Sequence, residues 1–233
     1  MSSKSSDKGN ILFLILLAVM LFAALSYAVT SSVRGGGKNA SEENISLFID
    51  QVIQAANLLE NNMIRAMLVD GVPEYGFDLS GTNSNSTTNE TCTSNNCKML
   101  AGNGGSVHIP KIPANLRLAT SSTYKKFYFW MIRMENVGTS ADDLVMVGRY
   151  VTEEVCQAFN KKLLGHELSL VSDSYDGSST SDIAYSGILS ALPSGGARYG
   201  NDRDQYAGKK ALCLMNNGGP PSQYIILYVL MER

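Results

Sequence analysis

Hydrophobic residues are distributed unevenly along the chain, and the first large block of them lies near the N-terminus. No charged residue occurs between Ile11 and Val33, and residues 11–29 are interrupted only by Ser26 and Tyr27. As a helix, residues 11–29 would extend roughly 28 Å, which is close to the thickness of the hydrocarbon core of a bilayer. The pattern predicts a transmembrane helix over residues 10–34.

A second hydrophobic pattern, with apolar residues at steps of three and four, follows a run of glycines. Residues 35–40 include this glycine triplet and predict a hinge, because glycine has the largest backbone entropy cost in a helix. Ser41 then begins a predicted amphipathic helix over residues 41–70, with acidic residues in its first turn. Its apolar face needs a sheet to cover it. This face consists of Ile45, Phe48, Ile49, Val52, Ile53, Ala56, Leu59, Met63, Ala66 and Met67.

The rest of the chain, residues 71–233, alternates polar stretches with short β-like runs. Residues 80–107 are rich in turn-forming residues and predict an exposed loop. Residues 125–135, 143–151 and 222–233 predict strands. The first of these strands is apolar on both faces and is therefore predicted to be central in its sheet.

A short helix is predicted over residues 152–164. Thr152 is its expected N-cap, residues 153–154 are acidic, residues 161–162 are lysines, and Gly165 ends it. The predicted fold class is therefore α+β. A long N-terminal helix, with a transmembrane half and an amphipathic half, packs on an antiparallel β-sheet in an extracytoplasmic head.

Composition narrows the possible functions. The chain has 19 basic and 21 acidic residues and a net charge of -2. No basic block occurs beyond the first residues, so the sequence predicts no nucleic-acid partner.

The cysteines predict disulfide bonds. Cys92, Cys97, Cys156 and Cys213 are even in number, and disulfides persist in oxidising compartments. Three connectivities are possible. Pairing of Cys92 with Cys97 and of Cys156 with Cys213 is favoured, because the short polar loop between the first two could not form a core of its own.

Several of these features occur together in a known superfamily. A polar leader ends in Lys8 and Gly9, an apolar segment begins at once, and a helix with an amphipathic second half precedes a β-domain rich in Asn and Ser. This combination resembles the type IV pilins and type II secretion pseudopilins. The sequence-specific part of the likeness covers residues 4–30.

The resemblance implies a function and its partners. Residues 1–9 would be a leader that prepilin peptidase removes after Gly9, so that Asn10 becomes a methylated N-terminus. The family's usual acidic residue would fall at Leu14, and its absence is similar to minor pilins and tip pseudopilins. The chain would be a structural subunit of a type IV pilus or type II secretion filament, with other pilin-like subunits and inner-membrane lipid as partners. Its location would be single-pass in the inner membrane, with a periplasmic or extracellular head.

Two alternatives use the same residues differently. Ser26, Tyr27 and Ala28 have the spacing that signal peptidase recognises, and cleavage there would leave a domain that begins at Val29. The second alternative is a membrane-anchored periplasmic binding or adhesive domain that does not polymerise.

Enzymatic and metal sites have weaker support. Ser122 and Lys125 match an S-x-x-K pattern without its companion motifs, and neither His108 nor His166 has a catalytic neighbour in the sequence. No enzymatic activity is predicted. Calcium is the one candidate cofactor, because carboxylates and amides are the ligands it prefers. Its candidate ligands are Asp202 and Asp204.

Overall fold

The computed structural model describes residues 8–118, 125–134, 136–139, 141–166, 172–173, 183–185, 198–199, 207–216 and 223–233. For residues 8–12, 28–40, 172–173, 183–184, 198–199, 216 and 223 the description covers the backbone alone. The chain divides into two compact units, Met1–Asn44 and Ile45–Arg233.

The first helix, α1, comprises Lys8–Val69. Its backbone is helical through the glycine triplet, where the sequence predicts a hinge over residues 35–40. Glycine lowers helix stability by about 1 kcal/mol relative to alanine, but it adopts helical dihedral angles without steric hindrance.

The apolar face of α1 within the second unit is the face that the sequence predicts. Every residue of this face is buried or half-buried, and Val52, Ala56 and Leu59 are inaccessible to solvent. The face shares one hydrophobic core with residues of the sheet, including Phe127, Phe129 and other inward side chains. The predicted packing of an amphipathic helix on a sheet is therefore confirmed.

Four longer antiparallel strands form the centre of the sheet, in the order β6-β7-β2-β1. Three two-residue strands extend it, with β3 beside β6, and with both β4 and β5 pairing with β1. The strands are β1 Phe127–Met134, β2 Asp143–Val151, β3 Ser172–Asp173, β4 Ile183–Ala184, β5 Arg198–Tyr199, β6 Ala211–Asn216 and β7 Gln223–Met231.

One strand of the sheet differs from the prediction. β1 is buried on both faces and lies between β2 and β4, as predicted for a central strand, although β4 pairs with it only at Trp130 and Met131. β6 is absent from the sequence prediction. It pairs with β7 from Ala211 to Asn216, so its place depends on a partner strand rather than on a strong pattern of its own.

The second helix, α2, comprises Glu153–Leu164 and confirms the helix predicted from its ends. Gly165 has a φ of 78°, the left-handed conformation that glycine adopts readily at a helix C-terminus. Thr152 precedes the helix with an extended backbone, but its side chain makes no capping hydrogen bond, contrary to the prediction. Two short 3-10 helices, Asn95–Cys97 and Ala114–Leu116, complete the described helical elements.

The sequence predicts an exposed loop over residues 80–107, but this polar stretch contains buried residues. Buried Asn89 donates from Nδ2 to the carbonyls of Tyr75 at 2.8 Å and Phe77 at 2.9 Å. Buried Asp78 accepts hydrogen bonds from Ser80 and from Asn103. The segment folds because its polar side chains satisfy buried main-chain and side-chain groups, which a hydropathy pattern does not reveal.

Candidate functional site

The apolar segment of the first unit exposes its side chains on every side. Residues 13–27 of α1 cover about four helical turns, so their side chains face all directions. The exposed large side chains of this segment are Phe13, Leu14, Ile15, Leu16, Leu17, Val19, Met20, Leu21, Phe22, Leu25 and Tyr27. A contiguous apolar surface of this kind marks an interaction site rather than a solvated helix face.

The predicted location in a membrane is not supported. Among the residues that the structure describes, no helix is both long enough and apolar enough to cross a membrane. The prediction of a single-pass inner-membrane protein is therefore wrong on this finding.

The predicted processing site lies at the beginning of α1. Gly9 and Asn10 both have helical backbones, and the Asn10 side chain lies outside the described residues. Cleavage between them stays a prediction.

Both favoured disulfide bonds are present. Cys92 is bonded to Cys97 and Cys156 to Cys213, with Cα separations of 5.6 Å and 5.2 Å. None of the described cysteines is free. The first bond closes the short polar loop, and the second joins α2 to β6.

A buried amide reinforces the junction between α2 and β6. Asn160 Nδ2 donates to the Cys213 carbonyl at 2.8 Å, and the Cys213 N–H donates to Asn160 Oδ1 at 2.7 Å. Asn160 is fully buried, so these two bonds satisfy groups that have no access to water. No local pattern indicates this contact, because the residues are separated by 53 positions.

Asp143 is the most buried carboxylate of the described residues. Its oxygens accept from the Met134 N–H at 3.4 Å and the Arg233 N–H at 3.0 Å. Burial raises the pKa of Asp143, and the two main-chain donors oppose that rise. Since both oxygens are engaged by the backbone, this carboxylate ties β2 to its surroundings rather than facing a substrate.

Several of the remaining candidate residues have no described position. Asp202, Asp204 and Ser122 lie outside the described residues, so the calcium site stays a prediction. His108 lies in an open cleft between α1 and residues 106–110, while His166 is exposed after α2. The part of the chain that the structure describes contains no group of three His, Cys, Asp or Glu side chains close enough to hold a metal ion.

A polar groove in the second unit was not predicted from the sequence. It lies between the end of α1 and residues 91–106, and it includes Arg65 and Lys98. The sequence pattern places Arg65 only on the polar side of the amphipathic helix, so it does not indicate that Arg65 and Lys98 line the same cavity.

Comparison of the chain with protein-family models, with curated proteins and with solved structures finds no match.

Proposed function

We propose that this chain is a structural, minor-pilin-like subunit of a bacterial filament of the type IV pilus or type II secretion kind. It joins, primes or caps the filament, and the apolar segment over residues 13–27 packs against the corresponding helices of neighbouring subunits.

The exposed apolar segment is the observation that carries this proposal. A helix that is apolar on all sides is stable in water only when other apolar surface covers it. Helices of further subunits supply such surface on every side at once, and they pack at distances of about 8–10 Å. The architecture of the second unit, a helix face packed on an antiparallel sheet, supports the same proposal, because it is the architecture that the resemblance implies.

Crosslinking tests the assembly. The four native cysteines form disulfides, so an added cysteine is the only free thiol among the described residues. Leu14→Cys and Met20→Cys chains are expressed together in the native host, and cells are oxidised before lysis. We expect a ladder of covalent oligomers, since both positions belong to the packed segment.

The matched control is Thr88→Cys, an exposed position in the polar loop of the second unit. It should give monomer under the same oxidation. If Leu14→Cys and Met20→Cys gave no more crosslinked product than Thr88→Cys, the helices would not pack together and the proposal would fail.

The proposal includes processing after Gly9. Intact-mass and N-terminal peptide analysis of the protein from its native host should show a chain that begins at methylated Asn10. A Gly9→Val variant should retain residues 1–9, because the resemblance assigns Gly9 to the peptidase recognition site. A native chain that begins at Val29 or at Met1 would rule out this processing step.

A further inference from the structure

The polar groove of the second unit consists of two adjacent cavities. The larger half, about 350 Å³, includes Asn62 and Arg65 of α1 and Lys98 of the facing segment. The smaller half, about 290 Å³, lies beside Tyr75 and the disulfide-closed loop. Asp70 borders both halves, so the two cavities lie side by side. The volume of the larger half falls within the range of small-molecule sites, and that of the smaller half lies just below it.

The larger half carries an excess of positive charge. Arg65 and Lys98 line it together with a single carboxylate, Asp70. Asp70 accepts a hydrogen bond from Asn96 Nδ2 at 3.2 Å. Within the described residues, neither Arg65 nor Lys98 has an ion-pair partner. This local excess runs against the net charge of -2 of the whole chain, so an anion is the complementary ligand.

The uncharged lining suits a ligand with many hydroxyl groups. Amide side chains, including Asn62 and Asn95, provide both donors and acceptors in the larger half. Thr91, Thr93 and Ser94 provide hydroxyl groups in the smaller half. These amide and hydroxyl side chains can form hydrogen bonds with the hydroxyl groups of a ligand, because each hydroxyl group both donates and accepts.

An aromatic ring lies at the far end of the groove. Tyr75 is 48% exposed, although it is a large apolar side chain. An exposed aromatic ring beside polar groups offers a flat apolar face to a ligand whose edges are polar. A sugar ring has this character, with C–H groups on its faces and hydroxyl groups around its edge.

The wall that carries Lys98 is held by close packing, by hydrogen bonds and by a disulfide. Gly105 packs so closely that a Cβ on it would lie 2.2 Å from the Met99 carbonyl carbon. The Gly105 N–H donates to the Leu100 carbonyl at 3.1 Å, and Asn103 Nδ2 donates to buried Asp78 at 2.8 Å. The disulfide between Cys92 and Cys97 holds the adjoining loop. A wall that is already ordered binds a ligand with a smaller entropy loss.

We propose that this groove binds an acidic oligosaccharide of the uronate class. Arg65 and Lys98 pair with its carboxylates, the amides and hydroxyls bind its hydroxyl groups, and Tyr75 stacks on a sugar ring. An acidic peptide fits less well, because the groove offers neither a free strand edge nor apolar pockets for alternate side chains. The site does not depend on assembly into a filament, so the proposal stands apart from the proposed function.

Isothermal titration calorimetry of the full chain tests the proposal, with tetragalacturonate as the probe. We expect saturable binding to tetragalacturonate and none to maltotetraose, tetraglutamate or inorganic phosphate. Arg65→Gln combined with Lys98→Gln should weaken the affinity at least about tenfold, because two charge-assisted contacts are lost. Binding should also weaken as salt increases.

The matched control removes two lysines outside the groove, the exposed Lys111→Gln together with the half-buried Lys209→Gln. It loses the same charge and should change the affinity by less than about twofold. Exchanging the cations, Arg65→Lys with Lys98→Arg, should keep most of the binding, which separates lost charge from a misfolded variant. Tyr75→Ala should weaken binding, whereas Tyr75→Phe should not, because the ring alone provides the stacking face.

Three results would overturn the proposal. The first is the absence of saturable binding to tetragalacturonate, and the second is equally tight binding of tetraglutamate. The third is an equal loss of affinity in the groove variant, Arg65→Gln with Lys98→Gln, and in the control variant, Lys111→Gln with Lys209→Gln. An acidic peptide or a free anion would then be the better description of any binding that was observed.

Discussion

Leu59→Ala is expected to lower the free energy of unfolding by about 3 kcal/mol, whereas Leu58→Ala should change it by less than about 0.5 kcal/mol. The two leucines are neighbours on α1, but Leu59 is inaccessible to solvent and Leu58 is 47% exposed. Leu59 lies in the core that α1 shares with the sheet. Its truncation removes apolar burial and leaves a cavity, because close-packed surroundings relax only in part.

The comparison isolates burial from helix propensity. Both substitutions replace leucine by alanine at adjacent positions of one helix, so any change in intrinsic propensity is nearly the same in both. Urea denaturation of the oxidised protein, monitored by circular dichroism, gives the two unfolding free energies. Equal losses would mean that the predicted face of α1 is not the one that holds the second unit together.

Removal of the disulfide between Cys156 and Cys213 is the second large effect. The bond joins residues 57 positions apart, and loop-closure entropy assigns it about 4 kcal/mol of stability. The bond between Cys92 and Cys97 spans 5 positions and is assigned about 2 kcal/mol. Cys156→Ala with Cys213→Ala should therefore destabilise the protein more than Cys92→Ala with Cys97→Ala.

Local surroundings add to this difference. Cys156 and Cys213 are fully buried in the main core, so alanine at both positions also leaves unfilled space. The Asn160 hydrogen bonds to Cys213 lie at the same junction of α2 and β6 and would loosen with it. Denaturant midpoints of the two double variants provide the measurement. A larger loss in the Cys92 and Cys97 variant would contradict the expected order.

Local sequence patterns predicted the elements that carry strong periodic or end signals. The face of α1 from Ile45 to Met67 repeats at steps of three and four, and α2 has acidic residues at its beginning and Gly165 at its end. β1, β2 and β7 are long apolar runs. Such signals lie within a few residues of one another, so a single sequence is enough to find them.

The same local logic misjudged two features. The apolar run near the N-terminus predicted a membrane span, and no helix among the described residues meets the length and apolarity that a span requires. The glycine triplet predicted a hinge, and the backbone of α1 is helical there. Propensity is a weak preference that other contributions to the free energy readily exceed.

Tertiary structure alone decided which distant groups meet. β6 is a strand because β7 pairs with it. Asn160 forms hydrogen bonds with Cys213, which is 53 positions away. The Tyr185 hydroxyl accepts a hydrogen bond from the Phe77 N–H, which is 108 positions away. The groove also exists only where α1 faces the segment that carries Lys98. The sequence by itself determined the local elements and favoured the disulfide pairs, because periodicity and spacing are local properties. The order of the strands and the groove depend on long-range packing, in which each contact is chosen by the fit of the whole core.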